Sequence, residues 1–201
     1  MHSKFSIVLA LLGVLGFAAC SVREVPYEDG IAAWRTDKDR FMRESSESPV
    51  VASERAAFAP LPYFPINQEY RVPASLNVSR ADDILEMSTS TGQKRRMQRI
   101  GTLEFTLKGQ PLKLTAFAEE NDTQLRRLFV PFRDLTNGSE TYPAGRYLDL
   151  ERTATGVYDL DFNRAYHPFC LFNATYDCPV PPRENRLPIP IRAGEQLGNP
   201  K

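Results

Sequence analysis

The amino-acid sequence predicts a mainly β fold, an antiparallel β-barrel or sandwich with an N-terminal amphipathic helix. Three observations carry this. Residues 101–107 and 111–118, "GTLEFTL" and "PLKLTAFA", alternate apolar and polar side chains about a Lys108-Gly109-Gln110 turn, the period-two signature of a hairpin. Further short strand-like runs recur between turn signals at Asn121-Asp122, Asn137-Gly138 and Gly156, the rhythm of a sheet that curls on itself. Residues 27–44 place Ile31, Trp34 and Phe41 on one helical face with charges opposite, which predicts a helix laid on the domain.

The chain begins "MHSKFSIVLALLGVLGFAAC", with a basic Lys4 and an apolar run from Phe5 to Ala19. That run is shorter than the about 20 residues a membrane span needs and suits a signal-peptide core. Its ending, Phe17-Ala18-Ala19-Cys20, resembles a bacterial lipobox, with Phe17 in place of the usual Leu. The expectation is therefore a lipoprotein signal at 1–19, lipidation of Cys20, a tether at 20–26 and one β-rich domain over 27–201. Two or more acyl chains anchor stably where one does not. Ser21, rather than Asp, resembles outer-membrane sorting, so the expected partner is the membrane and the expected place is the cell envelope, facing the periplasm. An ordinary secretory leader cut near the same place is the alternative. Beside a lipobox, the four Asn-x-Ser/Thr sequons at Asn77, Asn121, Asn137 and Asn173 read as chance.

The helix begins after Pro26, a residue suited to helix starts, and "SSESPVV" breaks it. "SERAAFAPLPYFP" reads as a short helix and a packed loop. "EYRVPASLNVS" has strand character, with Pro73 indicating an edge or a bulge. "LRRLFVPF", "GRYLDL", "GVYDLDF" and "RLPIPIR" supply the remaining short strands. The 201 residues carry 25 basic and 25 acidic side chains. Loss of Lys4 with a leader leaves a net charge near −1, which gives no reason to expect nucleic acid.

The densest charge cluster is "KRRMQR", 94–99. It reads as a solvated turn before the strand at residue 102. The alternative is contact with acidic lipid headgroups or lipopolysaccharide, worth about 1 kcal/mol per exposed Lys or Arg. "DLDFN" sets Asp159, Asp161 and Asn163 on one strand face; an EF-hand is excluded because Arg164 stands where its glycine must be. A buried acid paired with an arginine fits that strand end. Asp134, Thr136, Glu140, Thr141, Tyr142 and Arg146 crowd one stretch. Arg146 suits a bidentate grip on a carboxylate or phosphate; the alternative is a polar hairpin with Arg146 paired to Asp161 or Glu140.

Cys170 and Cys178, eight positions apart, leave three readings. A disulfide needs alpha carbons about 5–6 Å apart, and this loop can reach that; closing it removes about 2.5 kcal/mol of denatured-state entropy. Zinc would take His167, Cys170 and Cys178 with a fourth ligand from elsewhere, without a CxxC spacing to support it. A catalytic thiol would use His167 as its base. Pro179, Pro181 and Pro182 stiffen the loop exit.

The blocks "LPYFPINQEYRV", "TNGSETYPAGRYL", "LDFNRAYHPFCLF" and "CPVPPRENRLPIPIRAGE" resemble the bacterial domain of unknown function 1684, over roughly residues 31–195. This is the short form, since little chain separates Trp34 from the "YFP" block. The resemblance implies a fold and no established activity. In the family pattern Asn stands at His167, which weighs against the zinc and Cys–His readings and leaves the disulfide as the expectation. The pattern maps polar positions onto Asp134, Thr136, Glu140, Thr141, Tyr142, Arg146, Asp161, Asn163, Tyr166, Asn185 and Glu195. We expect several of these to converge on a cleft at one barrel end. There Arg146 would bind a small polar or anionic ligand, with Asp161 or Glu140 orienting it or acting as a base. The alternatives are an envelope hydrolase using the same cleft and a structural or interaction lipoprotein whose polar groups merely tie loops together. No cofactor is expected beyond the minor zinc alternative.

Overall fold

The period-two segments pair into one antiparallel sheet in a computed structural model that describes residues 25–80, 83–120, 122 and 127–198. The expected leader at 1–19, Cys20 and the sequon residue Asn121 lie outside the described residues. The strands are β1 (Arg71–Val78), β2 (Ile84–Ser88), β3 (Lys94–Leu107), β4 (Gln110–Glu119), β5 (Arg127–Phe132), β6 (Arg146–Glu151) and β7 (Val157–Asp161). Their order is β6-β5-β4-β3-β1-β7, with β2 on the N-terminal half of β3. β6 and β7 follow one another in the chain yet end the sheet on opposite sides, so the sheet curls until they nearly meet. A single bridge, Tyr147 to Tyr166, joins the two sides just beyond the end of β7. The result is a barrel with one open seam.

Alternation fixes which side chains fill it. Leu103, Phe105 and Leu107 of β3, Leu114 and Ala116 of β4, and Leu148 and Leu150 of β6 all point inward and are buried. A second apolar cluster forms on the outer face, where Met87, Met97 and Phe117 pack with Leu85 and Phe129. Pro73 is tolerated in β1 because the ladder to β3 begins one residue later, at Ala74.

The helix α1 (Tyr27–Glu44) starts after Pro26 and buries Ile31 and Met42. Tyr27 donates to both oxygens of Asp161 at 2.9 and 3.0 Å, and Asp39 accepts the N–H of Leu61 at 2.9 Å. Met42, Val50 and Leu61 form the small core beneath it. The segment 52–64 is a 3-10 turn and a packed loop, as its irregular prolines predict.

Three expectations need correction. "KRRMQR" is not a turn but the first half of β3, and its arginines are paired: Arg96 with Glu120 at 2.7 Å, Arg99 with Asp83 and Glu184 at 3.0 and 2.9 Å, Arg95 with Glu119 at 3.5 Å. β2 carries no clean alternation and was not foreseen. "RLPIPIR" is not a strand: Pro188 and Pro190 remove the N–H groups a ladder needs, and the segment runs instead as an extended cover that buries Leu187 and Ile191 in the barrel core.

Between β4 and β5 the one backbone pair among the described residues is Phe117 with Phe129. Two residues on, Thr115 would face Pro131, which has no N–H to give. Asn185 fills this gap. Its Oδ1 accepts the Thr115 N–H at 2.7 Å, and its Nδ2 donates to the carbonyls of Thr115 and Pro131 at 2.8 and 2.7 Å. The side-chain amide stands in for missing ladder bonds, since buried backbone groups left unpaired are costly. Asn185→Ala is expected to lower stability by about 3 kcal/mol in urea unfolding; a loss below about 1 kcal/mol would mean that water replaces the amide.

Candidate functional site

The polar residues singled out in the sequence do not gather at one opening; they divide into separate buried networks. Arg146 opens β6 and, by alternation, points inward with Leu148 and Leu150; it is 0% exposed. Its guanidinium donates to Asp134 at 3.0 Å and to the carbonyls of Ile191, Ala193 and Glu195 at 2.6, 2.5 and 3.0 Å. Rings of Phe132 and Phe64 lie 5.3 and 5.8 Å from it. Asp134 also accepts from the N–H and hydroxyl of Thr136 and from the N–H of Ile191, while Thr136 and Thr141 share a hydroxyl contact of 2.8 Å. The expected Arg146 cleft is thus corrected: the strand period that makes β6 drives this arginine into the core, where its two terminal nitrogens are spent on the protein itself and its Nε is left without a partner among the described residues.

Asp161 and Asn163 form a second network. Asp161 caps the turn at 162–164 by accepting the Asn163 N–H at 2.9 Å. Asn163 accepts the Asn67 N–H at 3.0 Å and donates to the Asn67 carbonyl and the Tyr27 hydroxyl at 2.8 and 2.9 Å. Together these dock α1. Arg164 lies 3.6 Å from Asp161, matching the expected acid–arginine pair. Glu140 pairs with Arg192 at the surface, at 2.8 Å. Glu195 accepts the His167 N–H at 2.7 Å and meets Lys38 at 3.1 Å, linking the C-terminal segment to α1.

His167 is buried, and its Nε2 accepts the Tyr142 N–H at 3.3 Å. Burial, with the nearby charges of Arg146 and Lys38, pushes its pKa down to about 3, so it stands neutral. The expected disulfide is corrected as well. Cys170 and Cys178 are free thiols, and the Cys178 sulfur accepts the Cys170 N–H at 3.1 Å. Burial pushes the Cys178 thiol up to about 12, so in this arrangement it is a neutral hydrogen-bonding group. His167, Cys170 and Cys178 form no metal-ligand cluster among the described residues.

The opening in the molecule lies elsewhere, on the outer wall of β5–β6. Side chains of β6 that do not enter the core, Tyr147 and Asp149, face it. Trp34, Lys38 and Phe41 of α1 wall one side, and Tyr166, Phe169 and Tyr176 of the segment after β7 wall another. Two cavities of about 470 Å³ each share Arg127, Asp149 and Tyr166. The second follows the β6–β7 seam, reaching Leu150, Tyr158 and Asp161. Of the residues read from the sequence, Tyr166 and Asp161 line this cleft.

Asp149 and Tyr166 are its polar centre. The Tyr166 hydroxyl donates to Asp149 Oδ2 at 2.8 Å. Crowding by the cleft walls desolvates the carboxyl and raises its pKa; the Tyr166 hydrogen bond and the charges of Arg127 and Lys38 oppose this without cancelling it. Burial and the Asp149 charge hold the Tyr166 phenol well above its ordinary range. The rings of Tyr147 and Tyr166 meet edge-on at 5.7 Å, and Phe129 meets Tyr147 at 4.8 Å. The Tyr147 hydroxyl is tied to the Pro179 carbonyl. The sequence signal for this site was the outward phase of "GRYLDL".

Fold and site together define a small, nearly closed antiparallel barrel strapped by one helix, with an aromatic and acidic cleft beside its open seam. The chain belongs to the family described as protein of unknown function (DUF1684), whose model matches residues 56–196. It is similar to the solution NMR structure of an uncharacterised protein from gene locus rrnAC0354 of Haloarcula marismortui, with 39% identity over 85% of this chain and 94% of that one and a TM-score of 0.67. No curated protein matches it.

Removing Arg146 would leave the Asp134 carboxylate buried without its counter-charge. Arg146→Ala is therefore expected to cost about 3–5 kcal/mol of stability in chemical unfolding; an unchanged midpoint would show the ion pair to be dispensable.

Proposed function

We propose that this protein binds a small molecule in the cleft between β6 and the segment after β7, with Asp149 and Tyr166 as its polar anchor. The observation that carries this reading is a cavity of about 470 Å³ that sets Met97, Phe129, Tyr147, Phe169 and Tyr176 beside the Asp149 carboxylate, which Tyr166 holds at 2.8 Å. Ligand sites are of this size and this composition, a few placed polar groups in an apolar lining. The ligand reading moves from Arg146, which is enclosed, to Asp149, which is accessible. An enzyme using the same cleft is the second reading. It is favoured by the raised Asp149 pKa and its hydrogen bond to Tyr166, an arrangement suited to general acid–base chemistry. Attachment to the cell envelope through Cys20 is part of the proposal and rests on the lipobox-like sequence.

Two measurements test these statements. Small apolar fragments added to the labelled protein are expected to shift NMR resonances of Met97, Tyr147 and Tyr166 together, and Phe129→Ala, which removes one wall of the cavity, is expected to weaken those shifts strongly. Shifts scattered over the surface and indifferent to Phe129→Ala would sink the cleft as a binding site. Mass spectrometry of the protein extracted from its native membrane is expected to find acyl groups on Cys20; a free, unmodified terminus elsewhere would remove the anchor.

A further inference from the structure

We infer that the cleft selects a protonated amine carried on an aromatic or short aliphatic body, with the ammonium group on Asp149 Oδ1 and against the rings of Tyr147 and Tyr166. This rests on the cleft being a ligand site and adds the ligand's charge and shape. Tyr166 engages only Oδ2 of Asp149, and Oδ1 has no hydrogen-bond partner among the described residues. The cations at the cleft's edge are committed to other acids. Arg127 pairs with Glu151 at 3.0 Å. Arg95 pairs with Glu119 and Asp177 at 3.5 and 3.8 Å. Lys38 is held by Glu195 at 3.1 Å, with its ammonium over the Tyr166 ring at 4.1 Å. Asp149 is left with a neutral phenol.

A carboxylate in that position has three chemical complements. An anion would meet a like charge that Arg127 and Lys38 offset only in part, and would be repelled. A neutral donor would make one ordinary hydrogen bond. A protonated amine makes a charge-assisted bond and, among rings set at 4.8 and 5.7 Å from one another, gains attraction from their faces as well. The apolar side of the same cavity, at Met97, Phe129 and Phe169, then receives the body. Lys38, 4.1 Å from the Tyr166 ring centre, shows that this ring attracts a cation.

The probes are 2-phenylethylamine and its neutral counterpart 2-phenylethanol, titrated by calorimetry and NMR against the full mature chain. The amine is expected to bind at least about tenfold more tightly than the alcohol. Asp149→Asn is expected to remove the difference between the two probes, and cleft-remote NMR resonances that stay in place show that the variant folds. The groups facing Asp149 are Tyr166, Arg127, Lys38 and Glu151. As pH is lowered through the raised Asp149 pKa, the carboxylate is lost, so amine affinity is expected to fall while alcohol affinity holds. Equal affinities for the two probes, or a pH dependence that persists in Asp149→Asn, would overturn the amine inference and leave the cleft itself standing. Failure of both probes to shift the cleft resonances would overturn the cleft reading with it.

Discussion

The buried ion pair of Arg146 with Asp134 is the constraint on which the rest of the molecule depends. A guanidinium taken wholly out of water must have nearly every donor met. Here the partners come from two places: Asp134 at the exit of β5, and the carbonyls of Ile191, Ala193 and Glu195 in a segment that joins none of the named strands. That segment makes a close turn to deliver its carbonyls. Gly194 has φ +77°, and a β-carbon on it would stand 2.5 and 2.7 Å from the carbonyl oxygens of Ala165 and Phe162. Only glycine fits there. The next residue, Glu195, then reaches His167 and Lys38. One buried charge thus fixes the C-terminal segment, and through it the position of α1.

The cleft follows from the same arrangement. Because β6 turns Arg146, Leu148 and Leu150 inward, it must turn Tyr147 and Asp149 outward. The Tyr147–Tyr166 bridge closes one end of the sheet through reciprocal backbone bonds of 2.9 and 3.0 Å, and it sets Tyr166 within reach of Asp149. Beyond that bridge β6 and β7 part, and the space between them stays open. The cleft is therefore a property of incomplete closure, positioned by strand phase rather than by a mobile loop.

Much of the fold was legible in the sequence because it rests on local periodicity. The β3–β4 hairpin, the outward and inward faces of β6, and the helix at 27–44 all follow from spacing. What was not legible depends on partners distant in the chain. The cluster at 94–99 looked solvated, yet its arginines find acids at the end of β4, just before β2 and in the turn at 183–185. "RLPIPIR" has alternating apolar residues, but its prolines forbid a ladder and the segment serves as a carbonyl donor set instead. Arg146 was rightly singled out as a residue needing a partner. The anion it binds is the protein's own Asp134, 12 positions away. Asp149 was passed over because one acid on an alternating strand carries no signal until the walls around it are known. The cysteine pair was read by its spacing, whereas local geometry sets the Cys170 N–H on the Cys178 sulfur.

The dependence of Arg146 on carbonyls 45 to 49 positions later in the chain bears on how the polypeptide comes into being. A nascent chain leaving the ribosome presents β6 well before Ile191, and until then the guanidinium has only Asp134 and water for company. The barrel can curl before then, but its charged interior cannot dry until the segment 191–195 has been made. A product cut short of that segment would carry its own exposed mark of being unfinished.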